Sequence, residues 1–196
     1  MKSIDKTIEF KFKKLEILLK ENFHLTKEKL GGEIPFFILP YLPQDNNFVE
    51  KETNNLIKKL ANNGIEIVLI DLFELSIEIL KQKNLLQAIV NKESSIKKEI
   101  FLKQIRTPID VNSVITPEIE KRIQNSNFKA LIIKGVGSVF PIIRSHNLLN
   151  NLQTMIKDKP MIMLFPGIYD GKKLELFGMM KDDNYYRAYN LDFFEI

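Results

Sequence analysis

The residues best placed to do chemistry lie in the last third of the chain. Gly135-Val136-Gly137-Ser138 follows an apolar run and precedes a helical pattern. In that arrangement exposed backbone amides can meet an anion, and Gly135, Gly137, Ser138 and the nearby Arg144 form a candidate anion-binding set. A dinucleotide fingerprint needs a third glycine, which is missing; the alternative is that the glycines serve a tight strand-to-helix turn, with Pro141 in the first helical turn. His146 follows closely, but the sequence identifies no base partner for it.

The second constellation is Lys181-Asp182-Asp183-Asn184-Tyr185-Tyr186-Arg187-Ala188-Tyr189. Adjacent aspartates on an extended chain point to opposite sides, a poor geometry for paired-carboxylate catalysis. Tyr185, Tyr186, Arg187 and Tyr189 are of the types that anchor protein interfaces, and they form the candidate interface. Terminal packing with tyrosine hydroxyls at the surface is an equal alternative. Asp71, at the end of an apolar run, suits a helix cap better than a ribose or metal contact. Gly167-Ile168-Tyr169-Asp170-Gly171-Lys172-Lys173 falls one residue short of a phosphate loop and has lysine where a hydroxyl residue should bind magnesium; it reads as a hairpin turn. No catalytic residue is assigned.

With no cysteine, disulfides, thiolate metal sites and cysteine nucleophiles are excluded. Two histidines, His24 and His146, make a zinc site improbable, and no metal or cofactor is expected. The formal charge is +4, yet only Arg106, Arg122, Arg144 and Arg187 among the 29 basic residues are arginines. Arginine is the usual reader of phosphates and bases, so the lysines read as a solvated surface capable at most of weak, non-specific DNA contact. The longest apolar runs are too short to span a bilayer, and the charged N-terminus lacks a signal core; a soluble, cytoplasmic protein without membrane association is expected.

The elements that must position these residues follow from periodicity. Three- and four-residue apolar spacing predicts helices over 4–30, 49–62, 72–89, 93–105, from Thr116 to about 125, and a helix carrying Ile142 to Ile156. Thr116 is the expected N-cap, with Pro117 at the first helical position. Strands are predicted over 34–39, 65–71, 130–134 and 161–165, with turns at Pro166-Gly167 and Asp170-Gly171 and a return strand over 173–177. The alternation implies a single α/β domain over 1–196, with the helix over 4–30 packed on it. Its centre is a mostly parallel sheet flanked by helices, P-loop-like or Rossmann-like in layering without a Walker A motif, followed by a C-terminal β-hairpin.

Three segments carry a resemblance. The run from Leu131 through Gly135-Val136-Gly137-Ser138-Val139-Phe140-Pro141 to Arg144-Ser145-His146 resembles the BrxB family of bacteriophage-exclusion (BREX) systems. So do Phe165-Pro166-Gly167-Ile168-Tyr169-Asp170-Gly171 with Leu176-Phe177-Gly178, and Asp182-Asp183-Asn184-Tyr185-Tyr186-Arg187-Ala188. The resemblance implies a role in antiphage defence beside a large ATPase, an adenine-specific DNA methyltransferase and the phosphatase-like protein PglZ. It carries over no catalytic residue. Two functions follow as expectations: a non-enzymatic assembly subunit docking PglZ or the ATPase, or a nucleotide- or nucleic-acid-binding component using residues 135–138, Arg144 and the basic surface.

Overall fold

Strand β1, Phe36–Tyr41, is buried along its whole length, and its side chains alternate between two separate cores. Such a strand can only lie inside a sheet covered on both faces. In the computed structural model, which describes residues 7–20, 36–124, 126–156, 159–182, 184 and 186–193, it does so. Strands β2 (Ile67–Asp71), β3 (Ala130–Lys134), β4 (Met161–Tyr169) and β7 (Tyr189–Asn190) join it in the order β2-β3-β4-β1-β7, every neighbouring pair parallel. Strands β5 (Leu174–Leu176) and β6 (Met180–Asp182) continue antiparallel from the far end of β4. The fold class is thus the expected one.

Helices α1 (Ile8–Lys20) and α2 (Asn46–Ala61) cover one face, where Leu15, Leu18, Leu56 and Leu60 meet Phe37, Leu39, Ile132, Ile162 and Leu164. Helices α3 (Leu72–Gln82), α4 (Leu86–Glu93), α5 (Lys98–Arg106), α6 (Thr116–Gln124) and α7 (Ser145–Met155) lie on the other, over Phe36, Ile38, Ile133, Met163 and Phe165. The period of two along each strand sends alternate residues to opposite layers. Lys11 ties α1 to the sheet through Pro40 O at 2.6 Å and to the chain's end through Asp192 Oδ2 at 3.0 Å.

Several local readings change. Of the helix predicted over 4–30, residues 8–20 are helical; 4–6 and 21–30 lie outside the described residues, as do Ile34 and Pro35 of the first strand. The helix over 72–89 is two helices, because Asn84 takes a left-handed conformation (φ 56°) and Leu85 N turns back to Leu80 O. Thr116 is not the cap of α6. A π-helical turn, Val111–Ile115, runs straight into it, and Asp110 Oδ1 accepts from Asn112 N and Ser113 N. Pro166-Gly167 is no turn either. Strand β4 passes through both residues, Pro166 lying in register with Tyr41 and Gly167 with Leu176. A Cβ on Gly167 would sit 2.2 Å from Glu175 O, so the glycine is there for close strand approach. Asp170-Gly171 does make the turn, Asp170 Oδ1 accepting from Lys172 N and Lys173 N at 2.7 Å.

Candidate functional site

Ligands of parallel sheets gather beyond the carboxyl ends of the strands, and two polar clusters occupy that edge here. The first joins the ends of β1, β2 and β3. Lys134 Nζ bonds Glu50 of α2 and reaches Asp71 Oδ2 at 3.1 Å. Burial alone would lower the Lys134 ammonium, but its two carboxylate partners outweigh this and hold it above the ordinary lysine range. Asp71 meanwhile caps α3, its Oδ1 accepting from Phe73 N at 2.9 Å and Glu74 N at 3.2 Å, as a lone acid after a strand suggests. Tyr41 donates to Asn46 Oδ1 at 3.0 Å, and burial followed by the Glu50 and Asp71 charges pushes its phenol well above the usual tyrosine range. Each charged group in this cluster has a partner, Lys134 shared by Glu50 and Asp71 and Asp71 also capping α3, which marks it as a tie between strands and helices.

The second cluster is built from the loop after β3 and the strands after β4. Helix α7 begins at Ser145, so His146 stands in its first turn. Strand β6 ends on Asp182, whose Oδ2 lies 3.2 Å from His146 Nδ1 and accepts from Tyr186 Oη at 2.5 Å. Its Oδ1 accepts from Asn184 N at 3.1 Å and from the Asn184 side-chain amide. Burial would raise the Asp182 carboxyl, but the bonds from Tyr186, Asn184 and His146 outweigh it and hold the group below the usual aspartate range. Burial first, and then the Asp182 carboxylate, push the Tyr186 phenol far upward. Beside this cluster opens a cleft of about 340 Å³, lined by the polar Arg144, His146, Lys181 and Asp182 and by the apolar Phe140, Phe165, Leu176 and Met180.

The expected site residues are distributed unevenly over these features. Residues 135–138 form a turn closed by Ser138 N to Gly135 O at 3.1 Å, and no helix follows directly: Pro141 lies in further turns and α7 starts only at Ser145. Gly135 (φ +79°) lies against the Asp71 cap, where a Cβ would meet Asp71 Oδ1 at 2.7 Å; a Cβ on Gly137 would meet the Phe177 ring at 2.8 Å. Close packing thus accounts for both glycines. Of the anion-binding set, Arg144 alone lines the cleft. In the candidate interface, Tyr186 is 3% exposed and turned inward to Asp182, unlike an exposed anchor. Tyr189 is half-buried in β7 against the Phe37 ring, Arg187 is exposed, and Tyr185 lies outside the described residues. The His146–Asp182 pairing escapes sequence reasoning altogether. Its members are 36 residues apart and meet only once β4, β5 and β6 have folded back.

Thus the segments singled out at 131–146 and 165–188 meet in one place. The sequence model described as "BREX protein BrxB" matches residues 68–191. A protein named BREX protein BrxB from Bacillus cereus (strain H3081.97) is 39% identical over 166 residues, 83% of this chain and 85% of that one. The chain belongs to the BrxB family. A second BrxB, from Escherichia coli O9:H4 (strain HS), is 26% identical over 188 residues, 96% of this chain and 93% of its own. No solved structure matches. The chain is therefore a BrxB member of the BREX defence system. The span matched by the BrxB model contains the whole cleft and the Asp71–Lys134 pair, but not Tyr41 or Glu50 of the first cluster. Among the described residues no group of acids and histidines is arranged to hold a metal ion, and no helix is long and apolar enough to cross a membrane.

Proposed function

We propose that this BrxB protein is a non-enzymatic assembly subunit of a BREX complex that docks the PglZ phosphatase-like protein or the large ATPase. The supporting observation is apolar surface at the C-terminal hairpin. Ile168 of β4 is 52% exposed and Met179, in the β5–β6 turn, is 76% exposed. Gly178, which precedes Met179, lies beside Ile168, a Cβ built on it falling 3.9 Å from Ile168 Cδ1. Exposed apolar side chains on one hairpin supply contact area for a protein partner. The exposed Arg187 supplies a further contact of the sort enriched at interfaces.

Co-expression with the neighbouring PglZ-like and ATPase products tests this reading. Wild type is expected to co-purify one of them, whereas Met179→Asp with Arg187→Ala retains the fold, judged by an unchanged melting temperature, and loses the partner. Failure of wild type to retain either protein overturns it, as does undiminished retention by the double variant.

A further inference from the structure

We infer that the cleft beside His146 binds a phosphate monoester of mononucleotide size. The inference is independent of partner docking and begins with the state of each charged group around the cleft. Asp182 is fully engaged: Tyr186 and His146 meet one oxygen, and the backbone and side chain of Asn184 meet the other. Its oxygens are therefore occupied, while the carboxylate keeps its charge. Arg144 and Lys181 line the same cleft, both are exposed, and neither side chain makes a hydrogen bond or ion pair among the described residues. Arg144 and Lys181 against Asp182 leave the lining with one net positive charge.

His146 adds a directed contact. With Nδ1 held on the Asp182 carboxylate, Nε2 is the ring nitrogen left for a ligand, the arrangement by which a carboxylate fixes a histidine's tautomer and orientation. A guanidinium, an ammonium and an oriented imidazole together suit a compact anion with several acceptor oxygens, and arginine meets such oxygens through a planar fork. The lining also includes apolar side chains, among them the partly exposed Phe140 ring, Phe165, Leu176 and Met180. An inorganic ion would leave these side chains unused. A phosphate ester with a planar body uses both kinds of group, and a volume of about 340 Å³ falls at the small end of ordinary ligand clefts.

Calorimetric titration of the full chain with AMP, capped O-phosphotyrosine and adenosine provides the test. Saturable binding of at least one phosphate ester is expected, with adenosine at least tenfold weaker. The tighter of the two esters identifies the body that the apolar lining prefers. Arg144→Ala and Lys181→Ala each weaken binding tenfold or more, while Arg187→Ala, outside the cleft, binds as wild type does. Both cleft residues are exposed, and unchanged circular dichroism melts establish that their variants fold. The imidazole proton resonance missing from His146→Gln should shift on titration of wild type. Absence of saturable binding to either ester at millimolar concentration overturns the proposal. So does binding that neither cleft variant weakens, or an unmoved His146 resonance.

Discussion

Asp182 gathers Tyr186, Asn184 and His146 onto two oxygens, so its removal strands several partners at once. An amide in its place cannot accept on both atoms. Asp182→Asn is expected to lower stability by about 2 kcal/mol at neutral pH, the scale of hydrogen bonds to a charged group. Because the folded carboxyl is held below its ordinary value, that contribution is fully present above the unfolded pKa of about 4 and is lost as pH falls through the folded one. Urea midpoints of wild type and variant should therefore differ most at pH 7 and converge below about pH 4. At Gly135 the constraint is backbone geometry. An alanine there must adopt φ +79° and displace the Asp71 carboxylate from α3, so Gly135→Ala should cost about 1–3 kcal/mol in a denaturant melt.

Between elements, the sequence is most legible where local and long-range demands agree. The β-branched and aliphatic run at 130–134 is a strand to the residue, because parallel neighbours on both sides ask for what its propensity already favours. Pro166-Gly167 is the opposite case: its turn chemistry is overridden by pairing with β1 and β5, which no local window contains. The start of α6 escapes a local window for a related reason, since two cap-like residues compete and only the backbone decides between them. Asp110→Ala removes the two amide contacts and should cost about 1 kcal/mol. Thr116→Val makes the sharper test. Thr116 Oγ1 is buried without a partner among the described residues, so a methyl in place of the hydroxyl should be neutral or gain up to about 1 kcal/mol. Were Thr116 the cap, the same change would cost about as much as Asp110→Ala; thermal melts of the two variants separate the alternatives.

Across the whole molecule, the candidate site is assembled by topology. Strand β4 runs between β3 and β1 and then supplies the hairpin that carries Asp182 back to α7, so residues distant in sequence share one cleft at the carboxyl edge. Sequence periodicity reveals the sheet and its flanking helices, because each strand's pattern is set by its own two faces. It is silent on the cleft, which depends on strand order. That order also couples the two cores, since β1 sends Ile38 into one layer and Leu39 into the other, and both are fully buried. Truncating either side chain leaves a cavity in a different layer, so Ile38→Ala and Leu39→Ala should each cost about 2–5 kcal/mol. If the layers fold as one unit on their shared sheet, each variant shifts a single transition in which far-ultraviolet dichroism and tyrosine fluorescence coincide. A Leu39→Ala variant whose two probes separate would instead show that the α1–α2 layer can melt while the α3–α7 layer holds. In that event the cleft, whose buried apolar residues belong to the second core, should outlast the first layer and keep the proposed phosphate-ester binding through the earlier transition.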